Sequence, residues 1–228
     1  MRYIPKVKIC GMRCAEDIDM AVRCGADAVG FITEVPVQTP RKIDLDTASR
    51  LVGHVPLFVD SVLVIMPADG HNALEMIRKV RPDSIQLHSD IGPEDIGIIR
   101  DGLDGSRQRI IKTFTVPAGI GGFVQSLLTQ IEALSDTGLI DAILLDSAKA
   151  GMSGGMGITH DWSVSKEIVE NTDIPIILAG GLKPENVRCA VEEVRPFAVD
   201  TASGVETDGK KDHAKVCRFI KEARCING

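Results

Sequence analysis

Eight times along the chain a short apolar run is followed by a segment of helical periodicity, and few architectures accept such a pattern. The strand-like runs are residues 7–10, 28–32, a stretch within 56–64, 84–88, 109–114, 141–145, 174–179 and 198–201. The helical segments are 15–24, about 46–52, 68–80, 93–101, about 122–134, 162–170, 184–194 and 211–223. A strand joined to the next through a helix runs parallel to it, because the helix is the crossover. Many runs are apolar almost throughout, as strands covered on both faces are expected to be. Eight units in 228 residues fit an α/β chain folded as one (β/α)8 TIM barrel over residues 1–228. A doubly wound open sheet is the other reading of the same alternation.

Composition removes several classes of function. With 44% hydrophobic residues the chain can bury a sizeable core. A formal charge of −6 argues against a nucleic-acid partner, which needs clustered Lys and Arg. No apolar run approaches the roughly 20 residues of a membrane helix. Residues 1–6 lack the apolar core of a secretory signal, so a cytoplasmic protein is expected. The six cysteines, Cys10, Cys14, Cys24, Cys189, Cys217 and Cys225, form no C-x2-C pair. Neither a disulfide framework nor a metal site is therefore expected.

In a barrel of this kind the active site lies where the strands end and the following loops begin. Polar residues there include Cys10, Arg41, His88 and Asp146, together with the glycine loops Gly180-Gly181 and Ser203-Gly204. Loops after the seventh and eighth strands commonly hold phosphate through backbone N–H groups and a helix end. Glycine suits such loops because the backbone can approach the anion without a Cβ in the way. A third glycine loop, Gly154-Gly155-Met156-Gly157, follows the sixth strand. Phosphate binding is therefore expected at Gly155, Gly157, Gly180, Gly181, Ser203 and Gly204, and the partner is a phosphorylated small molecule.

An ordered set of motifs resembles the phosphoribosylanthranilate isomerases. They are Lys8-Ile9-Cys10-Gly11-Met12, Gly25 through Phe31, Thr39-Pro40-Arg41, Gln86-Leu87-His88 and Leu144-Leu145-Asp146-Ser147. The remainder are Gly154 through Gly157 with Asp161-Trp162, Ala179-Gly180-Gly181-Leu182, and Val199-Asp200 through Glu206. The resemblance implies an Amadori rearrangement of N-(5-phospho-β-D-ribosyl)anthranilate in tryptophan biosynthesis. It assigns Cys10 as general base, Asp146 as general acid and Arg41 to the anthranilate carboxylate, and it puts Asp200 near the substrate. His88 is open to two readings, ligand-facing or structural, and the structural one is favoured. Met156 and His160 depart from the family's usual threonine and phenylalanine, so a phosphate hydrogen bond from the threonine hydroxyl would be missing.

This chemistry needs no metal or other cofactor, because the substrate nitrogen is its own electron sink. It does need shifted protonation states. An ordinary thiol titrates near about 8.5 and an ordinary aspartate near about 3.9. A positive neighbour must favour the thiolate, while burial within the apolar run before Asp146 must keep that carboxyl protonated. Lys8 shares a strand face with Cys10 by alternation and is the candidate neighbour. The rival readings are a histidine-pathway isomerase, which needs a second phosphate loop in the first half, indole-glycerol-phosphate synthase, and a non-catalytic phosphate-binding barrel.

Overall fold

The computed structural model describes residues 3–103, 105–116, 124–147 and 162–225. The barrel strands are β1 (Lys6–Cys10), β2 (Ala28–Ile32), β3 (Asp60–Ile65), β4 (Ser84–Leu87), β5 (Arg109–Val116), β6 (Ala142–Ser147), β7 (Ile176–Leu178) and β8 (Ala198–Thr201). The helices after them are α1 (Ala15–Cys24), α2 (Leu45–Val52), α3 (Gly70–Val80), α4 (Pro93–Gly102), α5 (Val124–Ser135), α6 (Trp162–Glu170), α7 (Val187–Val194) and α8 (His213–Arg224). Neighbouring strands pair in parallel all the way round. β1 closes on β8 with Lys8 opposite Asp200, which excludes the open sheet.

Alternation divides each strand between two environments. Ile9, Phe31, Leu63, Ile85, Ile143 and Leu178 face outward into the layer beneath the helices, where they are fully buried. Val62, Ile111, Ala142, Leu144, Ile177 and Ala198 face inward and fill the lower barrel. Residues two positions further along β1, β4 and β6 therefore face the mouth. That places Cys10, His88 and Asp146 on one inward-facing rim.

Several boundaries differ from those expected, each for a local reason. α3 begins at Gly70 because the Asp69 carboxylate accepts from the Asn72 N–H and caps the helix. α7 begins at Val187, after a turn in which the Asn186 side chain accepts from the Lys183 N–H. The last helix begins at His213, capped by Asp212, and not at Lys211. Lys211 instead belongs to a small antiparallel hairpin, β9 (Glu206–Thr207) with β10 (Lys210–Lys211). Its turn is Asp208-Gly209, both at positive φ, 50° and 71°. Asp-Gly is among the strongest sequence signals for such a turn.

The end of the barrel opposite the mouth is stitched by aspartates that stand one residue before even-numbered strands. Asp27, Asp83 and Asp141 accept from the backbone N–H groups of Val7, Ser61 and Ile110 on the preceding strands, each at 2.8–2.9 Å. Outside the barrel, Cys24 on α1 and Cys217 on α8 are joined in a disulfide, with their Cα atoms 4.8 Å apart. The expectation of no disulfide is corrected here. The partners are 193 residues apart and meet only because barrel closure packs the first helix against the last. No helix among the described residues is long and apolar enough to cross a membrane.

Candidate active site

Cys10 ends β1, is 5% exposed and lies opposite Gly30 of β2. A Cβ at Gly30 would fall 2.7 Å from the Cys10 sulfur and 3.2 Å from Lys8 Cε. Glycine at that position is thus what lets a thiol and a lysine side chain share the barrel interior. Lys8 uses the space to reach across, donating to Gln86 Oε1 of β4 at 3.0 Å and pairing with Asp200 Oδ2 at 3.0 Å. Gln86 continues to Thr113 of β5 at 3.3 Å. Beneath the thiol lies a buried polar layer drawn from four strands.

Burial pushes the Cys10 thiol above its ordinary range, and the nearby Asp200 charge acts in the same direction. The Lys8 and Lys211 charges oppose this, with Lys8 also hydrogen-bonded to the thiol. Burial would lower Lys8, but the Asp200 carboxylate and the thiol outweigh it and hold the ammonium above the usual lysine range. Lys8 is therefore a fixed positive charge. Asp200 is 8% exposed, and its Oδ1 has no hydrogen-bond partner among the described residues, although Oδ2 is held by Lys8. A buried lone acceptor of this kind is ready for a ligand hydroxyl or N–H.

Asp146 stands at the inward end of β6 and is half-buried, less enclosed than the apolar run before it suggested. Its charge acts on His88, which is also half-buried just beyond β4. Burial holds His88 below the ordinary imidazole range, so the ring stays neutral at pH 7. The histidine thus lies close enough to the Asp146 carboxyl group to feel its charge.

Arg41 sits at the rim, where it packs over Gly11: a Cβ there would lie 2.8 Å from Arg41 Cδ, and Gly11 has φ 82°. Its guanidinium is held in a fork by Glu206, with Nε at 2.8 Å and Nη2 at 2.6 Å from the two carboxylate oxygens. Lys211 adds a third charge, 2.9 Å from Glu206 Oε1. Burial alone would raise Glu206, but the two cations hold it below the usual carboxylate range. The cluster carries one net positive charge, and Arg41 Nη1 has no partner among the described residues.

The loops after β7 and β8 are fastened together. Gly180 and Gly181 adopt φ of 83° and 66°, a conformation that L side chains resist. The Asn186 amide donates to the Gly181 carbonyl, and the Thr201 hydroxyl donates to the Leu182 carbonyl at 2.7 Å. Ser203 and Gly204 open a single 3-10 turn, and a Cβ on Gly204 would fall 1.9 Å from the Leu182 oxygen. Gly155 and Gly157, with Met156 and His160, lie outside the described residues.

The structure therefore brings Cys10, Arg41, His88, Asp146, Asp200 and the two glycine loops to one end of the barrel. Sequence reasoning quoted Gly30, Gln86 and Glu206 within motifs but gave them no role, and it placed Lys211 only at the start of the last helix. Of these, Lys211 was legible through the Asp208-Gly209 turn that folds it back beside Glu206.

The model of the N-(5'-phosphoribosyl)anthranilate (PRA) isomerase family matches residues 7–222. N-(5'-phosphoribosyl)anthranilate isomerase 1 of Methanosarcina mazei is 52% identical over 231 residues, spanning 99% of this chain and 97% of that relative. Phosphoribosyl anthranilate isomerase of Thermotoga maritima superposes with a TM-score of 0.81 at 34% identity, covering 98% of this chain and all of that one. A further solved isomerase holds reduced 1-(o-carboxyphenylamino)-1-deoxyribulose 5-phosphate and superposes at 0.78 with 33% identity, with coverage of 98% and 100%. The chain is an isomerase and belongs to the N-(5'-phosphoribosyl)anthranilate isomerase family.

Proposed function

We propose that this barrel converts N-(5-phospho-β-D-ribosyl)anthranilate to 1-(2-carboxyphenylamino)-1-deoxy-D-ribulose 5-phosphate in tryptophan biosynthesis, with Cys10 as general base and Asp146 as general acid. The observation that carries the roles is a buried thiol under two lysine charges, set on the same rim as a half-buried carboxyl group. A related isomerase holds the reduced form of that product, which supports the choice of substrate.

Asp146 gives its proton to the furanose oxygen as the C1–O bond breaks, and the nitrogen lone pair closes a protonated Schiff base. The Cys10 thiolate then takes the proton from C2, whose electron pair forms the C1–C2 double bond while the C–N π pair returns to nitrogen. The resulting enolamine takes a proton at C1 and loses one from the C2 hydroxyl, giving the ketone. Net, one hydrogen has moved from C2 to C1 and one from the C2 hydroxyl to the former ring oxygen, and no electrons leave the molecule. Lys8 and Lys211 favour the thiolate that begins the second step.

The remaining groups hold the ends of the substrate. Gly180, Gly181, Ser203 and Gly204, with Gly155 and Gly157 of the preceding loop, receive the phosphate. Arg41 receives the anthranilate carboxylate through Nη1, which Glu206 leaves uncommitted while fixing the guanidinium plane. Asp200 Oδ1 accepts from a substrate hydroxyl, and His88 lines the wall beside Asp146.

Loss of anthranilate-ribotide fluorescence with purified protein tests the reading. Wild type should turn over, and Cys10→Ala should lower kcat by about 10²–10⁴-fold with a smaller change in KM. Absence of turnover by wild type, or near-normal kcat in Cys10→Ala, would overturn it.

A further inference from the structure

Two thiols and an imidazole meet on the outer seam of the barrel, remote in role from the mouth. Cys24 ends α1, while His213 and Cys217 stand four residues apart on one face of α8. Their sulfur and nitrogen atoms all lie within 4.8 Å of one another. The two sulfurs are bonded in the structure, and the Cys217 sulfur is 3.7 Å from His213 Nε2.

A disulfide has no use for an imidazole at that distance, whereas a shared cation does. Zinc binds sulfur at about 2.3 Å and imidazole nitrogen at about 2.0–2.1 Å, which in a tetrahedron separates the two ligand atoms by roughly 3.5 Å. The observed His213–Cys217 spacing meets that requirement without moving the helix. Cys24 supplies the third ligand from the other side of the seam. Its sulfur and that of Cys217 need only rotate apart to about 3.8 Å once reduced. His213 is exposed and both cysteines are half-buried, so a cation can enter from solvent and keep its fourth position for water.

We propose that Cys24, His213 and Cys217 form, in the reduced protein, a site for one thiophilic divalent cation of the zinc type, clasping the first helix to the last. Reduction of the disulfide takes two electrons from a phosphine, which becomes its oxide by taking the oxygen of a water molecule, and that water supplies the two thiol protons. Zinc binding then releases both thiol protons to solvent and leaves a site with no net charge.

The test uses full-length protein reduced with a phosphine and titrated with zinc against a chromophoric chelator, with cobalt(II) as a spectroscopic probe. One zinc per chain should bind, cobalt should show thiolate charge-transfer bands, and zinc should raise Tm. His213→Ala and Cys24→Ser should each weaken binding at least about tenfold and abolish the Tm rise, while Cys189→Ser, an exposed free thiol, should change neither. His213→Ala is the decisive variant, because it leaves both cysteines able to form the disulfide. Zinc binding by His213→Ala equal to wild type would show a thiol pair without the imidazole and would overturn the proposal. So would reduced wild type binding no more zinc than a Cys24→Ser/Cys217→Ser variant, which would mean a disulfide only.

Discussion

At Cys10, burial and Asp200 oppose the thiolate, while Lys8 and Lys211 favour it, so removing one cation has a readable sign. Lys8→Met removes a lowering influence, and the thiol should titrate at still higher pH. The rising limb of kcat/KM should move to higher pH, with activity at pH 7 falling and partly returning in alkali. Leaving Asp200 charged and unpaired in the interior would cost stability, about 3–5 kcal/mol for a buried pair broken on one side. Lys8→Met/Asp200→Asn is therefore the folded control. An unmoved pH limb in Lys8→Met would remove Lys8 from the mechanism; in the double variant the two lost charges act on the thiol in opposite directions, so it checks the fold and not the limb. At Arg41, charge and geometry make opposite predictions. Glu206→Gln removes a negative charge beside the proposed carboxylate site, which on charge alone should tighten binding. Yet it also weakens the fork that holds the guanidinium plane, and charge-assisted bidentate pairs are specific in geometry. We expect orientation to dominate: Arg41→Ala and Glu206→Gln should both raise KM with smaller effects on kcat. A lower KM in Glu206→Gln would show that Glu206 only screens. The sequence revealed Arg41 but not its holder, because the pairing joins positions 165 residues apart.

The glycine loops show what an element adds that a motif does not state. Gly180 and Gly181 are glycines for their left-handed backbone, whereas Gly204 has no positive φ and is glycine for space alone. Its missing Cβ lets the turn after β8 lie directly on the Leu182 carbonyl of the loop after β7. Gly204→Ala should therefore push the two loops apart and raise the inhibition constant of inorganic phosphate by at least about tenfold, or 1.4 kcal/mol. Far-UV circular dichroism should stay that of the barrel. Unchanged phosphate inhibition would mean that this contact does not shape the anion site. The eight strand–helix units were legible because periodicity and crossover geometry are local properties of the chain. Helix starts at Gly70 and His213 were misplaced because an aspartate cap, set by one side chain, decides them against the apolar pattern. The β9–β10 hairpin was overlooked because two-residue strands carry no periodicity, and only the Asp208-Gly209 turn marks it.

Across the whole molecule, chemistry and stability lie at opposite ends of the strands. The mouth holds Asp200 Oδ1, which has no partner among the described residues, and the left-handed turn of Gly180 and Gly181 that only glycine adopts freely. The other end holds carboxylates whose bonds are satisfied. Asp27 ties β1 through Val7 N–H, Lys6 and Arg224, and Asp141 ties β5 through Ile110 N–H, Arg100 and Arg109. Burial would raise both carboxyl groups, but those donors and charges outweigh it and hold them below the ordinary aspartate range. The sign follows from linkage. A folded pKa below the unfolded value means that the unfolded chain takes up the proton first on acidification. Their contribution is thus fully present above the unfolded aspartate value of about 3.9, and it is lost as pH falls through the lower folded values. Both groups are partly solvent-exposed, so the Coulombic share is screened and the backbone hydrogen bonds carry most of the effect. Each such bond contributes about 0.5–1.5 kcal/mol, and more when the acceptor is charged. In a chain of this size that corresponds to a Tm loss of roughly 2–6 °C for Asp27→Asn or Asp141→Asn at pH 7. As pH falls through the lowered folded values the gap between variant and wild type should close, since the wild-type carboxyl is then protonated too. Because neither residue faces the mouth, kcat and KM at 25 °C should match wild type. Thermal melts across this pH range, with kinetics on the same samples, provide the measurement. A Tm gap that persists unchanged in acid would show that these aspartates act through shape and not through charge.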